Sequence, residues 1–262
     1  MSEYSPVNLQ ALRAGFETFH AATPFNHCVV DDFLAGDVAE RIEQEFLAYD
    51  SEKWFYYKNP IEDKKALNDW NAFPAATYSL FEYLNSPVFV AELSALMQVP
   101  LYADCGLHGG GWHCHGTGGN LNPHFDYSIH PKLGLQRKVN IIVYVSQALR
   151  EEHGGHLGLW THDAAAQRPG KLEKEVQPKF NRAVVFDTTQ NSWHGMSRPL
   201  VQPEGIYRRS LAIYYLCDPP QDADKRGRAL FAPREAQKGD PAVEEIIRLR
   251  SSVDTSQKVY RT

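Results

Sequence analysis

A chain of 262 residues has room for one generous domain or two modest ones. Apolar residues make up 43% and charged residues 23%, which excludes a disordered or membrane-embedded chain. A formal net charge of -5 argues against non-specific nucleic-acid binding through a broad basic face. The four cysteines, Cys28, Cys105, Cys114 and Cys217, show no C-x-x-C spacing, which speaks against zinc fingers, thioredoxin-like chemistry and a disulfide scaffold. The first twenty residues contain no basic stretch followed by an apolar one, and no run of apolar residues is long enough to cross a bilayer. The expected location is the cytoplasm, with neither membrane nor nucleic acid as partner.

In chain order, FNHCVVDDFL predicts a strand running into a turn. Asp37 to Tyr49 places Val38, Ile42, Phe46 and Leu47 at helical spacing, with acidic residues near the start. The aromatic and polar stretch from Trp54 to Pro74 has no clean period and reads as a strand followed by a loop over a pocket. Pro87 to Met97 predicts a helix that buries Leu93, Leu96 and Met97. From about residue 101 the pattern changes to glycine clusters between short apolar segments. Arg137 to Ser146 predicts a central strand, and GGHLGLW, NRAVVFDT and YRRSLAIYYL predict three more. Many short strands with glycine-rich turns point to a jelly-roll or barrel. The remainder, from about Asp218, is charged and broken by prolines, with one last helix in PAVEEIIRLR.

The segment that carries chemistry is LNPHFDYS. His124 and Asp126 are separated by one residue, so on a strand their side chains share a face. His194 follows far downstream in NSWHGMS. Two imidazoles and one carboxylate fill one face of an octahedral metal and leave the other open, which suits non-haem Fe(II). In YRRSLAIYY, Arg208 and Ser210 share a strand face. A buried arginine needs an anionic partner, and a dicarboxylate cosubstrate supplies one for a guanidinium fork. Tyr144 can add a hydrogen bond to that carboxylate, and Asn140, four residues earlier, is predicted to face the same way. Arg209 points to the other side by strand alternation.

The order H-x-D, a strand bearing tyrosine, G-G-x-L-x-L-W, F-D, W-H and R-x-S resembles the 2-oxoglutarate and Fe(II)-dependent dioxygenases of the prolyl-4-hydroxylase-like branch. The resemblance runs from about Gly109 to Tyr215. It implies a double-stranded β-helix, cupin-like core over about 101–217, an N-terminal support of helices and strands over about 1–100, and an extension over about 218–262, all within a single domain. It implies His124, Asp126 and His194 as the iron ligands, and Arg208 with Ser210, Tyr144 and Asn140 around 2-oxoglutarate. Gly154, Gly155 and Leu157 match the turn and strand that follow the cosubstrate strand. The implied cofactors are Fe(II), 2-oxoglutarate and O2, with ascorbate a candidate reductant. Asp126 stands where the halogenating relatives carry a small residue, which favours hydroxylation of an unactivated C–H bond, with release of succinate and CO2.

Substrate is less constrained. YSIHPKLGLQ and RPLVQPEGIY are longer than in the peptide-acting prolyl hydroxylases and are expected near the barrel mouth. With Trp112, His113 and His115 expected to line the approach, and Asn122 on the face of His124 and Asp126, they favour a small molecule such as an amino acid or a natural-product intermediate. A prolyl residue in a peptide or protein is the alternative. A non-catalytic binding module, which needs no open iron face, and a different cupin-like metalloenzyme, which has no need of the buried arginine, are further readings. A second metal at His113 and His115 lacks a nearby third ligand. Trp193 and Trp160 read as packing, and His153 and His156 as ordinary.

Overall fold

Strands that switch repeatedly between two sheets in the second half of the chain give it its shape. The computed structural model describes residues 5–260. The N-terminal part comprises α1 (Leu9–Phe16), β1 (His27–Val30) and α2 (Val38–Glu45). A hairpin follows, β2 (Phe55–Asn59) and β3 (Glu62–Leu67), and then α3 (Ala75–Leu84) and α4 (Pro87–Met97). Next come β4 (Tyr102–Ala103), β5 (Gly111–His115), β6 (Asn120–Leu121), β7 (His124–Phe125) and β8 (Gln136–Tyr144). They are followed by β9 (Leu157–Asp163), β10 (Arg168–Val176), β11 (Arg182–Asp187), β12 (Trp193–Met196) and β13 (Arg208–Cys217). The last elements are β14 (Leu230–Phe231) and α5 (Pro241–Arg250), with short 3-10 turns between and after them.

The larger sheet has the order β1-β11-β8-β13-β5-β3-β2, with β4 on β13 and β6 on β3. The smaller has the order β10-β9-β12-β7-β14. All their pairings are antiparallel. From β7 onward, apart from the β9–β10 hairpin, the chain alternates between the two, which is the winding of a double-stranded β-helix. The fold is therefore the expected jelly-roll. Because both faces of β13 are covered, its residues are buried almost throughout. Leu211, Ile213 and Tyr215 join the helices in the main core, while Arg208, Ser210, Ala212 and Tyr214 face a cavity between the sheets. Leu12, Ile42, Phe81, Phe89 and Leu93 from the four N-terminal helices complete that core. No helix among the described residues is long and apolar enough to cross a membrane.

Three elements depart from expectation. The second helix stops at Glu45 instead of reaching Tyr49, because Phe46 turns extended and stacks on Trp112 with ring centroids 4.5 Å apart. The stretch after Trp54 is a hairpin whose second strand pairs with β5, so it extends the larger sheet. The helix α3 follows it, with Thr77, Leu80, Phe81 and Leu84 buried at helical spacing. Its orphan N–H groups are satisfied from a distance: Ala76 and Thr77 each donate 2.7 Å bonds to the Glu45 carboxylate. The helix predicted over Pro87–Met97 forms over those residues, capped by Ser86 and closed by Gln98 in the left-handed region. Met97 is core. All four cysteines are free.

Candidate active site

The cavity between the sheets measures about 340 Å³. At its floor, His124 on β7 and His194 on β12 sit directly opposite each other. Their rings are 4.3 Å apart, and Asp126 completes a buried cluster. His124 Nε2 lies 4.0 Å from Asp126 Oδ1 and His194 Nε2 lies 3.8 Å from Oδ2. Each Nδ1 is 2.9 Å from a backbone carbonyl, of Asn122 and Ser192 respectively. A carbonyl can only accept, so both Nδ1 atoms carry the proton and both Nε2 lone pairs face the carboxylate. This is the tautomer a metal requires, fixed by the outer partners before any ion arrives. Burial, and then His194, hold His124 well below the usual histidine range, while burial likewise lowers His194. Both shifts favour the neutral imidazole. Burial pushes Asp126 up, but His194, Arg137 and His124 together outweigh it and hold the carboxyl below its ordinary value. The donor set fits a divalent metal with one face left open. Among the described residues it is the one such cluster.

Asp126 is held from behind. Asn140 Nδ2 lies 3.3 Å from Oδ2 and Arg137 Nη1 3.4 Å from Oδ1. Arg137 is clamped between the rings of Tyr127 and Tyr214, with its guanidinium carbon 3.4 Å from each centroid, and donates to the His108 carbonyl at 2.6 Å. Phe231, from the C-terminal extension, stacks on His124 at 4.9 Å and 18°.

One wall is a set of rows across the larger sheet. Arg208 on β13 pairs with His115 on β5, and Ser210 with His113 on one side and Tyr144 on the other. Arg208 is buried, donating Nε to the Gly155 carbonyl at 2.8 Å and Nη2 to the Tyr144 hydroxyl at 3.2 Å. Among the described residues it has no carboxylate partner, which is the condition of a guanidinium awaiting an anion. Gly155 has φ +69, and a Cβ there would stand 2.5 Å from Leu200 Cδ2 and 3.0 Å from Arg208 Cδ. Only glycine lets that turn close over the arginine.

The sequence profile of the 2OG-Fe(II) oxygenase superfamily matches residues 110–216. The matched stretch is a 2OG-Fe(II) oxygenase core. The oxygenase therefore uses Fe(II), 2-oxoglutarate and dioxygen. No curated protein matches it in sequence. Its fold is similar to those of solved structures. A Phytophthora capsici prolyl 4-hydroxylase is 20% identical, with a TM-score of 0.54, over 98% of this chain and 79% of that one. A Trichoplax adhaerens prolyl hydroxylase, in complex with a peptide of the hypoxia inducible factor oxygen degradation domain, is 15% identical, with a TM-score of 0.53, over 79% of this chain and 90% of that one. Streptomyces hygroscopicus HygX, with nickel, 2-oxoglutarate and hygromycin B bound, is 15% identical, with a TM-score of 0.50, over 77% of this chain and 86% of that one. At these identities the likeness concerns the fold.

The structure of the oxygenase brings together His124, Asp126, His194, Asn140, Arg208 and Ser210 around the cavity, and His113 and His115 line it too. Tyr144 reaches it through Arg208. Two expected substrate residues lie elsewhere. Trp112 alternates to the opposite face of β5 from His113 and His115, where it is fully buried among Phe46, Trp54 and Phe73. Asn122 is spent on structure: its amide donates to the Ala232 carbonyl and Gln237, and its oxygen accepts from Asn120 and Arg234. Its main-chain carbonyl is what orients His124. Trp193 packs on Phe125 at 3.9 Å, facing away from the cluster. Arg209 faces outward to Glu43 at 3.7 Å.

Several cavity residues of the oxygenase were not legible in the sequence. Lys64 and Glu62 come from the hairpin, and Arg228, Phe231 and Arg250 from the charged extension. The extension enters because β14 pairs with β7, the strand that bears His124. Arg234 fixes it there with bonds to Asn120, Asn122 and the Met196 carbonyl. The one available signal was LFAP, an apolar island in a charged tail.

Proposed function

We propose that this oxygenase hydroxylates an unactivated C–H bond of a small molecule, with His124, Asp126 and His194 holding Fe(II) and Arg208 anchoring the far carboxylate of 2-oxoglutarate. The observation that carries the reading is the buried, carboxylate-free Arg208 in the same cavity as the three converging donors. When bound there, iron and 2-oxoglutarate supply the activation of dioxygen, with succinate and CO2 released. The chain supplies position. The carbonyls of Asn122 and Ser192 keep the two imidazoles in the metal-binding tautomer. Asn140 and Arg137 hold the Asp126 carboxylate in place. Tyr144 and the Gly155 carbonyl set the angle of the Arg208 fork, and Ser210 offers a hydroxyl beside it. The hairpin and the extension add lining residues beside the reacting centre.

A cavity of about 340 Å³ that must also hold 2-oxoglutarate supports a compact substrate. The second reading is a prolyl residue of a peptide. It draws on the prolyl hydroxylases with the same fold, one of them solved with a peptide, whereas HygX was solved with hygromycin B. The test is iron-dependent 2-oxoglutarate turnover, coupled to succinate detection and product mass, across amino acids, natural-product intermediates and prolyl peptides. A mass gain of one oxygen on a small molecule is the expected result. A chain that neither binds nor decarboxylates 2-oxoglutarate when loaded anaerobically with iron would refute the reading.

A further inference from the structure

The cavity carries more positive charge than the reaction's own components neutralise. Lys64, Arg137, Arg208, Arg228 and Arg250 line it, and two carboxylates, Glu62 and Asp126, face them. Arg137 is engaged with Asp126, and Arg250 lies 3.0 Å from Glu62. Arg208 is reserved for the far carboxylate of 2-oxoglutarate. With that carboxylate spent on Arg208, the one charge left on the cosubstrate does not exceed the two of Fe(II), so none remains for other cations. Lys64 and Arg228 are left over. Neither forms a hydrogen bond or ion pair among the described residues, and Arg228 Nε is buried without a partner.

These two cations share a neighbourhood. Lys64 Nζ lies over the Tyr57 ring, 5.1 Å from its centroid, in register with Tyr57 on the hairpin. Arg228, from the extension, lines the same cavity as Lys64 and Tyr57. One step on from the Lys65–Cys114 pair, Lys64 approaches His115, whose two ring nitrogens are both buried without partners. Burial, with Arg208 and Lys64 adding to it, holds His115 well below the usual histidine range, so it presents one donor and one acceptor. Burial also lowers Lys64, with Glu62 pulling the other way. A buried ammonium in that state gains most from an anionic partner.

We propose that the primary substrate is a small organic anion whose carboxylate or phosphate group is held by Lys64 and Arg228, with His115 completing the contact. The inference rests on the Fe(II) and 2-oxoglutarate reading of the adjoining centre. It narrows the substrate to a class: acids and phosphate esters, not neutral sugars, amides or blocked peptides. Lys64 on β3 and Arg208 on β13 are separated by the β5 strand, so the two anchors serve different anions.

The test titrates probes calorimetrically into full-length protein loaded with Zn(II) and saturating 2-oxoglutarate, so that the cosubstrate anchor is already filled. One arm uses the twenty proteinogenic L-amino acids, a second their carboxamides, and a third inorganic phosphate and glycerol 3-phosphate. At least one acid or phosphate is expected to bind while the matched neutral compound does not, and the arm that binds names the group. Lys64→Met and Arg228→Gln should each weaken that binding by about tenfold or more, with 2-oxoglutarate affinity held within about twofold. Lys64→Arg should retain it. The proposal fails if carboxamides bind as tightly as acids, or if no anion of either arm binds. It fails too if Lys64→Met weakens 2-oxoglutarate instead of the probes. Failure of the wild-type chain to bind 2-oxoglutarate at all would instead remove the cofactor reading beneath it.

Discussion

Replacing Arg208 by glutamine tests the cosubstrate anchor most directly. The guanidinium is buried and its fork is preset by two contacts, to the Gly155 carbonyl and the Tyr144 hydroxyl. Removing one partner of a buried, hydrogen-bonded charge pair costs about 3–5 kcal/mol. At about 1.4 kcal/mol per tenfold, 2-oxoglutarate affinity should fall by roughly 100- to 5,000-fold. Arg208→Lys keeps the charge but gives up the planar fork. Losing one charge-assisted hydrogen bond, at about 1.5–3 kcal/mol, predicts a fall of roughly 10- to 150-fold. The order of affinities is therefore wild type, lysine, glutamine. The assay is calorimetric titration of 2-oxoglutarate into Zn(II)-loaded protein, with circular dichroism confirming that each variant is folded. A folded glutamine variant within about threefold of wild type would refute the assignment of Arg208 as the anchor.

Two further outcomes follow from the packing. Trp112→Ala should destabilise the fold by about 3–5 kcal/mol in urea melts, because it empties a site enclosed by three aromatic rings, yet leave 2-oxoglutarate affinity unchanged. A loss of affinity without loss of stability would place that side chain in the cavity instead. Asp31, at the end of β1, accepts 2.6 and 3.0 Å bonds from Arg182 and lies 3.1 Å from Lys179. The Arg182 hydrogen bond leads the causes that lower its pKa, with Lys179 adding to it against burial. The unfolded chain takes up this proton at higher pH than the folded one. The stabilisation is therefore whole above the ordinary aspartate value of about 3.9 and is lost as pH falls through the lowered folded value. Partial exposure limits it to about 1 kcal/mol or less. Urea melts of wild type and Asp31→Asn should differ at pH 7 and converge near pH 2, and an equal gap at both would contradict the linkage.

What the residues disclosed follows physical range. His124 with Asp126, and Arg208 with Ser210, were readable because alternation along one strand fixes which side chains share a face. The helix over Pro87–Met97 was readable because its cap and its terminator are local. Trp112 was misplaced although the same alternation rule separates it from His113 and His115; its company in a glycine-rich run drew it toward the cavity. Asn122 was misplaced for the opposite reason. Strand spacing puts it on the face of His124, but it lies just outside β7, and Arg234 and Gln237, far along the chain, claim its side chain. The helix α3 begins on a carboxylate from another helix, and Phe231 reaches His124 through a two-residue strand. The first contact leaves no trace in local composition, and the second leaves only the apolar island LFAP.

The pairing of β14 with β7 has a consequence for how the protein is made. On the ribosome the strand bearing His124 emerges first, then the one bearing His194, and the segment bearing Phe231 and Arg234 near the end. A nascent chain can thus present two imidazoles and a carboxylate while the lid over them is still being translated. Metal that arrives in that interval meets an open, hydrated set of ligands. Metal that arrives later must pass a finished wall. Loading before and after β14 pairs with β7 are therefore different physical events.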